Sequence, residues 1–164
     1  MRNYLRRTDN NAEVKKTALL PGMWGTIDSD EIGEPQMSYA VATEREGYRR
    51  VVFSGLTVSE GDLREQTRRI LEDLEEALDI LGGGMNHVVE SRWYVLDEVL
   101  SRESQTALHE VRAEFFERPH YPASTMIGVS SLLGDGLLEI ELVAEIPDDE
   151  WEVEAIERED VEDD

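Results

Sequence analysis

The chain has 164 residues, 40% of them apolar, which suits one core-bearing domain with extensions. It carries 38 acidic residues against 16 basic ones, for a formal net charge of -22, and it has no cysteine. Disulfides, a thiol nucleophile and thiolate metal sites are excluded, and nucleic-acid binding is disfavoured because no basic stripe stands out to neutralise phosphates.

Residues 1–35 read as an N-terminal extension of irregular structure, rich in Asn, Asp, Gly and Pro, with one or two docked segments. Ala18-Leu19-Leu20 is its short apolar piece, and Trp24 reads as an anchor onto the domain. Met37–Thr43 and Arg49–Ser54 read as an antiparallel pair of strands with Gly47 in the turn between them. A helix follows Gly61-Asp62, with Asp62 as N-cap. Its stripe is Leu63, Ile70, Leu71, Leu74, Ala77, Leu78 and Leu81, and Gly82-Gly83-Gly84 stops it.

His87–Leu96 reads as a third strand with apolar residues on both faces, Val89, Trp93 and Val95 on one and Val88, Tyr94 and Leu96 on the other. Helices can cover only one face of a small sheet, so a second subunit is the expected cover for the other. Arg92 shares a face with Tyr94 and reads as one half of an ion pair with a glutamate, or as an anion-binding group. Ser101 caps a second helix whose stripe is Leu108, Val111, Phe115 and Phe116. Thr125–Ser130 is the fourth strand. The fifth spans Leu137–Ile146, with Leu138, Ile140, Leu142, Ala144 and Ile146 facing the core and Glu139 and Glu141 facing away. From Asp148 the chain is an acidic tail in which disorder is the default and Trp151, Val153 and Ile156 offer points of docking.

The order β-β-α-β-α-β-β within a domain of residues 36–147 predicts an α+β two-layer fold, a mixed sheet with both helices on one face. No apolar run approaches a membrane span and no signal-like segment opens the chain, so the expected location is cytoplasmic. Lys15 and Lys16 are the only lysines. Excess carboxylate with almost no lysine resembles the surface of a protein from a salt-accumulating halophile; the competing reading is an acidic protein with a disordered tail.

Several strings resemble, in order and spacing, the Rid family of reactive intermediate deaminases, also called YjgF. They are Phe53-Ser54-Gly55, Gln66 early in the first helix, the glycine turn before Val88-Val89, Leu96-Asp97, Phe115-Phe116, Pro122-Ala123, Gly128-Val129 and Glu139-Ile140-Glu141 with Ala144. The resemblance covers Tyr39–Ile146 and implies a chorismate-mutase-like domain in a homotrimer, with a small-molecule site in each cleft between subunits. It implies a glutamate, here Glu139, that positions the water attacking an imine carbon. Gly55 matches a family glycine, Tyr39 matches a tyrosine lining the site, and Ala123, Ser124 and Thr125 stand where the substrate is held. The family's carboxylate-binding arginine is replaced by Ser124, and a family asparagine by His109.

Two functions follow. One is a RidA-like hydrolase of an imine or enamine other than the usual 2-imino acid, with Arg92, Arg112 or His109 as a substitute cation. The other is a non-catalytic trimer that binds a metabolite or a partner in the same cleft, with Glu139 and Glu141 merely pairing with arginines. No cofactor is implied. His87, His109 and His120 have no metal-ligand spacing. Gly82-Gly83-Gly84 follows a helix instead of opening one, which argues against a phosphate cradle.

Overall fold

The alternation in the last strand organises the domain. In the structure, a computed structural model that describes residues 15–20 and 36–157, Leu138–Pro147 (β6) lies in the middle of a six-stranded sheet. Every second side chain, from Leu138 to Ile146, is buried. Removing each large one from water is worth about 1.5–3 kcal/mol. The expectations for Trp24, for the other residues of 1–14 and 21–35, and for the tail beyond Glu157 lie outside the described residues.

The remaining strands are Lys16–Leu19 (β1), Ala40–Arg45 (β2), Tyr48–Phe53 (β3), Val88–Leu96 (β4) and Ala123–Val129 (β5). The sheet order is β1-β2-β3-β6-β4-β5. β4 and β5 run parallel, and the other pairs antiparallel. β1 adds a sixth strand to the five expected. It is the apolar piece of the extension, registered so that Ala18 meets Val41.

Leu63–Ile80 (α1) and Arg102–Arg112 (α2) cover one face of the sheet. Asp62 and Glu65 form a reciprocal capping box at the start of α1, with bonds of 2.9 and 2.8 Å. Gly82 ends the helix at φ 88, a conformation that costs glycine little. Ser101 caps α2. That helix stops at Arg112, before the aromatic pair, yet Phe116 still packs into the core. Arg64 and Arg68 of α1 pair with Glu110 and Glu114 beside it, across the outer seam between the helices.

One assignment of faces is corrected. Val88 belongs to the core face with Trp93 and Val95, not with Tyr94 and Leu96, while Val89 is only half-buried. The cause is a β-bulge: Val88 pairs with Ala144 and Glu90 with Val143, so the extra residue reverses the alternation. Beyond the bulge Ser91, Trp93 and Val95 point inward as a period of two requires.

The sheet face opposite the helices is uncovered in the single chain. Val52 and Ile127 on it are each 46% exposed. Trp151 of the tail meets His87 edge-on at 5.5 Å, and Glu157 pairs with Arg118, so the first part of the tail lies against the domain.

Candidate functional site

Glu139 follows Leu138, the first inward residue of β6, and therefore points to the uncovered face. Two neighbours fix its place. Tyr94 of β4 stands opposite it in register. On the other side the chain leaves β3 at Phe53 and runs as Ser54–Thr57 along the start of β6. There Leu56 and Ile140 exchange backbone bonds of 2.9 and 3.0 Å, and the Thr57 hydroxyl donates to the Leu138 carbonyl at 2.8 Å. This brings Gly55 beneath the Glu139 side chain. A Cβ at position 55 would fall 1.9 Å from Glu139 Oε1, so only glycine admits the carboxylate here. The anchoring reaches the opposite layer: the buried Gln66 amide of α1 donates to the Gly61 carbonyl and accepts from Leu137 N–H at 2.8 Å.

The two carboxylates of β6 differ. Glu141 accepts from the Tyr94 hydroxyl at 2.9 Å and from Arg92 at 3.1 Å, and Arg92 also pairs with Glu90 at 2.6 Å. Arg92 is thus committed to two carboxylates, which answers the sequence alternatives in favour of the ion pair. Its guanidinium is held above its ordinary pKa, foremost by the Glu141 bond. Glu139 has no donor among the described residues. Burial first, and Glu141 second, push its carboxyl above the usual range.

Tyr39 stands elsewhere. It is 6% exposed, in the core, edge-on to Phe53 with ring centroids 6.2 Å apart. Burial raises its hydroxyl pKa, with Asp73 and Glu76 of α1 adding to the effect. The side chain therefore looks toward the helix layer and not toward Glu139.

Ala123, Ser124 and Thr125 lie on β5, the edge strand, opposite Glu90, Ser91 and Arg92. Neighbours in a strand face opposite ways. Thr125 thus shares the uncovered face with Arg92 and Glu139, while Ser124 shares the helix side with Ser91 and Met126. A cleft opens there between α2 and β5. One part, of about 630 Å³, is lined by Arg102, Gln105, Thr106, His109, Arg112, Ser124 and Met126. An adjoining hollow of about 250 Å³ is walled by Ala113, Phe116, Tyr121 and Pro122, and shares His109 and Arg112.

The sequence points to His109, Arg112 and Ser124 one by one, but not to the cleft that joins them. Its signal is a run at helical spacing, Arg102, Gln105 or Thr106, His109, Arg112, that has no acidic member in a chain full of them. Arg112 lies over the Trp93 ring with its guanidinium carbon 5.0 Å from the centroid, and burial lowers its pKa.

Tyr39 apart, the expected site residues of one chain therefore fall into two groups, Glu139 and Gly55 with Arg92, Ala123 and Thr125 on one face, Ser124 and His109 on the other. Among the described residues no group of three His, Cys, Asp or Glu side chains could hold a metal ion, and no helix is long and apolar enough to cross a membrane.

Residues 35–146 match the family described as Endoribonuclease L-PSP. A RutC family protein of Pyrococcus horikoshii is 33% identical over 87 residues, which are 53% of this chain and 65% of that one. A second RutC family protein, from Pyrococcus abyssi, is 32% identical over the same proportions. The match thus spans just under two thirds of these relatives' length. Among solved structures, a member of the YjgF/YER057c/UK114 family from Mycobacterium tuberculosis superposes with a TM-score of 0.63 at 29% identity, over 80% of this chain and 100% of that one. RidA from an Antarctic Psychrobacter superposes with a TM-score of 0.57 at 24% identity, over 68% and 89%, and so bears on the fold alone.

Proposed function

Because the chain belongs to the Endoribonuclease L-PSP family, the YjgF or Rid proteins, we propose that it is a RidA-like hydrolase of reactive imines or enamines. Glu139 would orient and deprotonate the attacking water. The observation that carries this reading is the state of Glu139: half-buried, seated on Gly55, bonded to no donor among the described residues, and raised in pKa beside a Glu141 that Arg92 and Tyr94 already satisfy. A purely structural carboxylate on a sheet face would share those partners. This one is left to bind something else, and a raised pKa makes its ionised form a better base.

The chemistry needs nothing further in kind. Water oxygen forms a bond to the imine carbon as its proton passes to Glu139. The C=N π pair moves to nitrogen, which takes up a proton. The carbinolamine then collapses: its hydroxyl proton passes by way of Glu139 to the amino nitrogen, the C–N bond breaks, and ammonia and a carbonyl compound result.

We read the catalytic assembly as a homotrimer in the cytoplasm. Its uncovered sheet faces would meet, and a neighbouring copy would set its α2–β5 cleft beside Glu139. The uncovered Val52 and Ile127 support this. Residues 36–147 would be the functional unit, and the acidic surface an adaptation to high salt. The ribonuclease in the family's description draws no support from a chain of net charge -22.

The test follows 2-oxobutyrate release from 2-iminobutyrate generated in situ, with the mass measured by light scattering in molar KCl. Wild type should be a trimer and active, and Glu139→Gln a trimer without activity. A monomer, or an active Glu139→Gln, would refute the scheme. An inactive wild-type trimer would leave the second reading, a metabolite-binding member, which Ser124 in place of the family arginine favours.

A further inference from the structure

Resting on the hydrolase reading above, we propose that Arg112 holds the carboxylate of the substrate, and that the substrate is an imino or enamino acid with a bulky apolar side chain. Three observations converge on this. The first is how the arginines are paired. Arg49, Arg50, Arg64, Arg68, Arg69, Arg92 and Arg118 each lie against a carboxylate. Arg112, like the exposed Arg45 and Arg102, has no acidic partner among the described residues, and of these three it alone is half-buried. A half-buried guanidinium without a counter-charge is costly, and an incoming anion relieves that cost.

The second is how Arg112 is held. The guanidinium carbon lies 5.0 Å from the centroid of the Trp93 indole, which is fully buried at the centre of β4. The stem is fixed by α2, and the cleft lies open beside it. A planar guanidinium fork suits a carboxylate, and His109 and Ser124 line the same cleft as further hydrogen-bonding groups. Ser124 removes the guanidinium that the family resemblance places on β5, and Arg112 supplies one from the facing helix.

The third is what adjoins it. The hollow of about 250 Å³ that also contains Arg112 is walled by Phe116, Tyr121, Pro122 and Ala113. An engineered cavity of about 150 Å³ accommodates benzene, so this one has room for an aromatic or branched side chain. A carboxylate on Arg112 with its apolar group among these residues is the arrangement of a bulky 2-imino acid. Such a compound is the product of oxidation at the Cα–N bond of the corresponding amino acid, so an amino-acid oxidase or dehydrogenase is the class of reaction that supplies it.

The experiment measures calorimetric affinities of 3-phenylpropanoate and of its neutral amide, which contain no imine and so report on binding whether or not the protein hydrolyses anything. Wild type should prefer the acid by about tenfold or more, the scale of one charge-assisted bond pair. Arg112→Gln should bring that preference close to one. Propanoate should bind more weakly than 3-phenylpropanoate. No preference in wild type, or a preference that survives in Arg112→Gln, overturns the assignment even if imines are hydrolysed. Should Arg112→Gln fail to fold by near-ultraviolet circular dichroism, Arg112→Lys decides. It keeps the charge but loses the fork and the stacking on Trp93, so an unchanged preference there overturns the assignment too.

Discussion

Gly55→Ala is the sharpest test of how Glu139 is placed. The added methyl would lie 1.9 Å from Oε1, 2.6 Å from Cδ and 2.8 Å from Cγ of Glu139. Ordinary van der Waals contact begins at 3.4 Å, so the carboxylate must retreat by roughly 1.5 Å. It can do this by leaving its rotamer, at a cost of about 0.5–1.5 kcal/mol. A displacement on the order of 1 Å in a reacting group costs about 100-fold in rate. Gly55→Ala should therefore melt only slightly lower than wild type and hydrolyse 2-iminobutyrate on the order of 100-fold more slowly. A double-mutant cycle separates the contact from backbone effects. Glu139→Ala removes all three clashing atoms, so in that background Gly55→Ala should cost almost nothing in stability, giving a coupling on the order of 1 kcal/mol. Thermal melts and initial rates on the four proteins decide it. Wild-type rates in Gly55→Ala, or a coupling near zero, would refute the seating of Glu139 on Gly55 as the source of its reactive position.

Glu139→Gln should raise stability at neutral pH while it removes activity. The folded-state pKa of Glu139 is above its unfolded value. Its favourable contribution is therefore complete below the ordinary carboxyl pKa of about 4.3 and is lost as pH rises through the raised value. Melting temperatures at pH 7 and pH 4 check this: the advantage of the variant should be larger at pH 7, and a variant less stable than wild type there would contradict it. His87 should titrate below the usual histidine value of about 6.5, because burial lowers its pKa and its Nδ1 accepts from Gly84 N–H at 3.0 Å. Protonation ends that bond, so its contribution to stability is present above the ordinary pKa and lost as pH falls through the lowered one. An NMR titration of wild type and of Trp151→Ala reads both parts, since exposing the ring should move the midpoint upward. A wild-type midpoint at or above 6.5, or no movement in the variant, would count against the docked tail.

The fold was legible wherever periodicity was unbroken. Alternation in 138–146 separates Glu139 and Glu141 from the core with no knowledge of the sheet, and Asp62, Ser101 and Gly82 mark the helix ends because capping chemistry is local. It failed at Val88, where one extra residue in β4 inverts the pattern and nothing in Val88-Val89 announces a bulge. The site was legible residue by residue but not as an arrangement. Ser124 and Thr125 look like one unit in the chain, and the pleat sends them to opposite faces. The family resemblance implies that Tyr39 lines the site, yet it precedes β2 and its ring turns into the core beside Phe53. Arg112, His109 and Ser124 stand singly as candidates in the sequence, but their cleft is not legible as a unit, because its members gain meaning from what is missing around them, namely carboxylates.

Charge on α2 is distributed by face, and this makes the cleft selective. The inward stripe, Ala107, Leu108 and Val111, is apolar. One flank carries Glu110, with Glu114 just beyond the helix end, and α1 arginines take up both. The flank toward β5 carries Arg102, Gln105, Thr106, His109 and Arg112. An anion bound there meets attraction at short range from a chain that repels it at long range, since the whole molecule has a formal charge of -22. Screening acts unequally on the two. A Debye length of roughly 10 Å at 0.1 M salt falls to roughly 3 Å at 1 M, which removes the distant repulsion but leaves much of a partly buried contact. Salt that weakens carboxylate binding at an ordinary exposed arginine therefore has an opposing effect here: it admits the ligand. On the proposed assignment of Arg112, moderate to high ionic strength should therefore favour the entry of an anionic ligand past the acidic exterior, and affinity of 3-phenylpropanoate measured across salt concentrations checks this.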